Sequence, residues 1–493
     1  MAAKKNYFTL SNVLLFFTYA YLLLPFVLFC LGWLKLWLAL PLTALVLFCF
    51  FRMMKSAPAM WTPTFDKAAV IKLVVAALLI IGWVFFSGIG KYAWQTEDHA
   101  TRNVIFEMLV HQPWPVVDMS PPPQYYQSPV ALTYYFGFWL PAALVGKVLG
   151  LGAGQLFQLL WAMAGVLLLY WLILGATVKK VVIWPLVVFI FFGGMDWIAA
   201  SIMQGEVVNV WSATPHLEQW ANLFQFSSHS TQLYWVYNQA IPAWVATVLL
   251  YVQRSNKWMV LVWAATLLCS TLPMVGLLPL AVCFALRNWK EAHGKFRFVG
   301  FAKDFLTPEN LTGMAVALVL TLFLSGNNQT GGLWPLFYLW GELWWVWLLF
   351  IFIEFVPLAL LVAKYQVKNP LFYVVLAILL FVMWFQLGPG VDFCMRVSIP
   401  ALLVLYLMVV DALQESFARR CWPIFAGLCL VLAVAALSSQ TEIVRSVAIT
   451  LGAWAGHGPL IITDWHPMEV VWRDNFYATI GDGFFHKYLL RLP

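Results

Sequence analysis

The chain has 493 residues, of which 63% are hydrophobic and only 10% charged, with a formal net charge of +7. Soluble domains hold roughly 45–50% apolar residues, so the composition excludes an ordinary soluble enzyme, and the excess of Lys and Arg fits loops on one side of a membrane rather than a nucleic-acid partner. Seven scattered Cys without a CxxC pair give no disulfide or zinc framework.

The N-terminal stretch, MAAKKNYFTLSNV, is basic, and the apolar run after it has no small-residue cleavage site. It reads as an anchor rather than a removed signal. Apolar runs follow at 10–31, 33–52, 69–90, 128–149, 155–177, 181–195, 239–252, 258–271, 273–286, 311–325, 343–362, 371–386, 397–412 and 421–437. A crossing of the ~30 Å hydrocarbon layer needs about 20 helical residues, and a helix satisfies its own backbone polar groups in lipid. A transmembrane β-barrel would show short alternating segments instead. The expected fold is therefore an all-α integral membrane protein with about 13 transmembrane helices and amphipathic external loop segments. Residues 1–437 form the bundle, and 438–493 form an external C-terminal tail. No internal repeat is evident.

Lys and Arg in short loops set the orientation. Lys4, Lys5, Arg52, Lys55, the stretch 287–304, Lys364, Lys368, Arg419 and Arg420 mark the inner face. Loops 91–127, 196–238, 326–342 and 387–396 and the tail then lie outside. Three runs between 128 and 195 do not connect two outer loops. Either one of them is re-entrant or interfacial, or the division at Lys179–Lys180 is misplaced.

Loop 91–127 opens with WQTEDHATRN, an acidic pair placed just beyond an apolar run. Glu97 and Asp98 read either as wet loop residues or as chemistry at headgroup depth. Asp98 could take a proton from an acceptor hydroxyl as general base. Glu97 could orient the site, or the two could hold a divalent cation, Mg or Mn. The next segment, ATRNVIFEMLVHQ, has the pattern of a short amphipathic helix. Loop 196–238 is polar yet crowded with Trp, Phe and Tyr, which suits a cavity with aromatic walls. Its His216 and Glu218 are candidate ligand contacts, or an interface histidine and a solvated acid. Asn238 and Gln239 enter an apolar run, where they bind a sugar or cross-link helices. Asp392 and Arg396, in GPGVDFCMRVSIP, stand four apart on one helical face. Arg396 could grip a phosphate with Asp392 fixing its rotamer, or the two could form a structural clamp. The tail adds Asp464, His466, Glu469, Arg473, Asp474, Asp482, His486 and Lys487 as possible acceptor contacts.

The chain resembles membrane glycosyltransferases of the C superfamily, the polyprenyl-phosphate-sugar-dependent enzymes with many transmembrane helices. In that superfamily the first long external loop carries an acidic pair near the membrane and then an interfacial stretch. The matching residues are Glu97 and Asp98 in TEDHATRN. The loop follows the third span here and usually the first in the family. The resemblance implies a polyprenyl-linked sugar donor and a glycan or lipid-linked acceptor. A bacterial inner membrane is the expected location, with the site facing the periplasm or exterior and membrane lipids as further partners. A glycan polymerase or ligase is one rival. A transporter or flippase is another, kept in view by Glu354 within LFIFIEFVPLALL.

Overall fold

The computed structural model describes residues 9–124, 126–211, 216–328, 332–335, 340–387, 390–458, 460 and 476–492. Among them, seven helices are long and apolar enough to cross a membrane: Leu10–Trp33, Leu36–Ser56, Lys67–Phe85, Leu151–Ala176, Thr271–His293, Ile399–Ala418 and Trp422–Trp454. Two bent pairs raise the number to nine if each pair counts as one span. They are Phe298–Phe305 with Pro308–Leu324, bent by 74°, and Trp344–Glu354 with Val356–Gln366, bent by 51°. The protein is an all-α membrane protein with only small patches of sheet.

The region 128–195 differs from the expectation of three spans. Only Leu151–Ala176 is a full-length helix there. The run from 128 begins as a strand, Val130–Leu132, which pairs antiparallel with Val117–Asp118 on one side and Tyr477–Thr479 on the other. Its helix starts only at Leu140, with Pro141 in the first turn, and stops at Gly150, whose φ of +92° no β-carbon tolerates well. The run 181–195 yields a seven-residue helix, Trp184–Ile190, which gives way to Gly193 and Gly194.

Two further limits move. The helix expected to begin at 239 starts at His229, because the Ser228 hydroxyl accepts the Thr231 backbone N–H and caps it. The helix expected to stop at 437 runs to Trp454, so the division of bundle from tail at 437 falls inside a helix. The tail beyond is not detached. Thr133 N–H donates to the Phe476 carbonyl at 2.8 Å, and the Thr133 hydroxyl meets His486 Nε2 at 2.8 Å. Phe485 packs against Phe29 and Phe323 in the aromatic core.

Three helices define two opposite ends of the bundle. Ile399–Ala418 runs from beside Arg396 to Arg419, Pro308–Leu324 from Glu309 to the cavity that Leu324 lines, and Thr271–His293 from that same cavity to a basic end. At 1.5 Å per residue these lengths are about 25–35 Å. One end carries Asp392 and Arg396. The other gathers Arg52, ion-paired with Glu309 at 2.7 Å, and Arg254, paired with Glu291 at 3.2 Å.

Candidate functional site

The acidic pair opens a helix, Asp98–His111, in the segment where an amphipathic helix is expected. A carboxylate in the first turn is favoured there by the helix dipole. Asp98 Oδ2 accepts from Arg102 Nη2, one turn on, at 2.8 Å. The Asp98 side chain remains 44% exposed while Arg102 is buried, its guanidinium 5.7 Å from the centre of the Tyr237 ring. Beneath them His99 is fully buried and stacked on Tyr237, with Nδ1 3.0 Å from the Thr96 hydroxyl. Burial, with Arg102 adding to it, holds the His99 imidazole well below its ordinary pKa. Glu97 points outward and is exposed.

Arg396 and Asp392 form the ion pair that their spacing allows, at 3.0 Å. They line a cavity of about 260 Å³ with Thr133, Tyr134, Tyr135, Thr271 and Asn327. Tyr135 accepts from Arg396 Nη1 at 2.8 Å, while Arg396 Nε is buried without a partner among the described residues. Burial works against the charge on Arg396, but Tyr135, Asp392, Tyr134 and Asp98 outweigh it and hold the guanidinium charged. Asp98 thus lies within electrostatic range of Arg396. Tyr134, its ring 3.7 Å from that of Tyr135, feels the charges of both Arg396 and Arg102.

His216 and Glu218 belong to a second, adjoining polar cluster. The short turn Leu217–Gln219 follows His216. His216 Nδ1 lies 2.9 Å from Glu442 Oε1, and its Nε2 lies 3.1 Å from Gln225. The ring stacks on Trp235 at 5.0 Å. Glu218 is buried, accepting from Ser228 N–H at 2.9 Å and the Thr231 hydroxyl at 2.7 Å. Burial pushes the Glu218 carboxyl up to about 7, with His216 opposing and Asp196 adding to the rise. The His216 imidazole is held above its ordinary range: burial pulls it down, but Glu442 and Glu218 more than offset this. Asp196 joins the cluster by accepting from Trp220 Nε1 and the Ser438 hydroxyl, each at 3.1 Å. Arg445 ion-pairs with Glu442 and lies over the Trp94 ring, linking this cluster to the loop that carries Asp98.

Asn238 and Gln239 do not reach the cavity. Both are buried within the His229–Val252 helix, and the Gln239 carbonyl accepts from the Ser270 hydroxyl at 2.5 Å. Glu354 sits at the break between its two helices, directly against Gly194, where a β-carbon would collide with Oε2. Among the described residues no group of three His, Cys, Asp or Glu converges as metal ligands. Of the two candidate cation ligands, Asp98 is ion-paired with Arg102 and Glu97 is exposed. Asp464, His466, Glu469, Arg473 and Asp474 lie outside the described residues. Of the remaining tail candidates, His486 is buried against Thr133, while Asp482 and Lys487 are exposed.

Sequence reasoning missed Arg102, Tyr134, Tyr135, Asp196, Glu442 and Arg445. Two signals were present. Arg102 follows Asp98 by four residues, and Arg445 follows Glu442 by three, each the spacing of a same-face pair on a helix. No protein-family model matches the chain, and no curated protein or solved structure does so either.

Proposed function

We propose that this membrane protein is a glycosyltransferase that takes a sugar from a polyprenyl-phosphate or polyprenyl-pyrophosphate donor. The acceptor is a glycan or a lipid-linked saccharide. In this reading the Asp98 end faces the exterior of a bacterial inner membrane. The 24-residue helix His229–Val252 and shorter apolar helices such as Pro370–Val382 complete a topology of about 13 crossings. One observation carries the reading: a part-exposed carboxylate, Asp98, lies within charge range of a buried guanidinium, Arg396, that lines a polar cavity.

The chemistry follows from that pairing. Asp98 takes the acceptor hydroxyl proton as the new bond to the anomeric carbon forms. The bond from that carbon to the lipid phosphate oxygen breaks, and the electron pair leaves with the phosphate. Arg396, fixed by Asp392 and Tyr135, offsets the negative charge on this leaving group. Arg102 holds Asp98 in place. A single displacement with one base inverts the anomeric centre. The hydroxyl-rich cluster around His216, Gln225 and Glu218 is suited to sugar hydroxyls. The test is single-turnover transfer from a polyprenyl-linked sugar by folded Asp98→Asn protein. The rate should fall by roughly 10²–10⁴-fold, the range for a positioned acid or base. Transfer at the parent rate across the pH range would place the base elsewhere.

The placement of Glu354 favours a second reading, a transporter or flippase. A buried acid at a helix break, facing the Gly193–Gly194 break of another segment, is a geometry that ion-coupled carriers use. Ion flux coupled to substrate movement in sealed vesicles, with no sugar transfer, would select it.

A further inference from the structure

The end of the bundle opposite Asp98 holds two cavities that meet at Gln414. One is polar, about 530 Å³, and is lined by Lys364, Lys368, Arg419, Tyr365 and Asp411, among others. The other is an apolar groove of about 570 Å³ between Trp184–Ile190, Ile399–Ala418 and Trp422–Trp454. Gln414 lines both. We propose that the pair holds one anionic phospholipid, its phosphate headgroup in the polar cavity and an acyl chain in the groove.

Charge, level and length support this occupant. Lys364, Lys368 and Arg419 stand against Asp411 and Glu415, and Glu415 is already paired with Arg419 at 2.6 Å. Thr177 lines the same cavity, and the exposed Lys179 and Lys180 follow it in the chain, as Arg420 follows Arg419. The balance is cationic, as an anionic headgroup requires. The polar cavity is lined at the ends of helices Leu151–Ala176, Val356–Gln366 and Ile399–Ala418, which puts it at headgroup depth and the groove below it. Along the last helix the groove extends from Phe425 to Ala436. That is about 16 Å of helix, matching the roughly 15 Å hydrocarbon depth of one leaflet.

Two native thiols report on occupancy. Cys421 lies at the polar cavity, its Sγ 2.9 Å from Lys364 Nζ, and Cys429 lines the groove. Lys364 lowers the Cys421 pKa and so favours its alkylation. The full chain is reconstituted in vesicles of phosphatidylcholine alone or with added phosphatidylglycerol, and alkylation at each Cys is followed by mass spectrometry. Phosphatidylglycerol should slow both sites by about tenfold or more. In Lys364→Ala/Lys368→Ala the phosphatidylglycerol needed to protect Cys429 should rise about thirtyfold, from roughly a fivefold effect per cation. Ala433→Trp fills the groove from an exposed position and leaves the cations in place. It should abolish the lipid's protection of Cys421. Equal protection by the two vesicle types would reduce the groove to ordinary lipid contact and overturn the proposal. So would shielding of Cys421 by inorganic phosphate to the extent that phosphatidylglycerol gives, with no change at Cys429.

Discussion

Replacing Arg396 by Ala separates a phosphate grip from a structural clamp, because the structure indicates what the fold loses. The Asp392 side chain is 46% exposed, so without Arg396 it returns to water. That ion pair is then worth only about 0.2–1 kcal/mol to the fold. Tyr135 loses a charge-assisted hydrogen bond of about 1.5–3 kcal/mol, partly recovered from water entering the cavity. The variant should therefore fold, with a total cost of a few kcal/mol at most. A lipid phosphate held by Arg396 in that cavity loses more, because its charge is left without its buried partner. Truncating one member of such a pair costs about 2–5 kcal/mol, which is about thirtyfold to several-thousandfold in donor affinity. Arg396→Lys keeps the charge and loses the planar fork, so its affinity should fall between the two. The measurements are direct binding of a short-chain polyprenyl phosphate to purified protein and a parallel thermal denaturation. Unchanged donor affinity in a folded Arg396→Ala protein refutes the phosphate role and leaves Arg396 as a helix clamp.

Other expectations follow from the same geometry. Glu97→Gln should change single-turnover transfer by less than about threefold, since its carboxylate faces solvent; a loss like that of Asp98→Asn would make it the base. Glu218 and His216 both have folded pKa values above their ordinary ones, so each contributes stability at low pH that is lost as pH rises through the folded value. For Glu218 the window runs from 4.5 to about 7. Thermal denaturation in detergent should show stability falling with pH across it, and Glu218→Gln should flatten that slope; an unchanged slope would assign it to other groups. Gly194→Ala should destabilise the fold, because its β-carbon would collide with the Glu354 carboxylate, and Glu354→Ala should restore much of the loss. In a Cys-free background, single Cys at Glu97 and at Phe298 should label from opposite sides of sealed vesicles; labelling of both from one side would break the two-ended arrangement.

The parts of this fold that sequence alone revealed are those where lipid is the solvent. Runs such as 10–31 and 155–177 match helices Leu10–Trp33 and Leu151–Ala176, since about 20 apolar residues are what a hydrocarbon layer demands. Hydropathy failed where protein rather than lipid surrounds the helix. The stretch SSHSTQLYWVYNQ looks like loop, yet it is the buried first half of the His229–Val252 helix, where Thr231, His229 and Ser230 find partners in Glu218, Phe189 and Ile190. SSQTEIVRS looks like the end of a span, yet Trp422–Trp454 continues through it, with Glu442 and Arg445 paired inward. The strand at Val130–Leu132 was hidden for a different reason. Its partner Tyr477–Thr479 lies more than 340 residues away, and no local pattern announces so distant a pairing. In the acidic pair, sequence drew attention to Glu97 and Asp98, and the Arg at four residues from Asp98 was the cue that separated them. The general consequence is that polar residues directly after an apolar run do not by themselves end a helix. Where an acid and a base follow at three- or four-residue spacing, continuation into a polar protein interior is the better expectation. In this chain that interior is where the candidate chemistry lies.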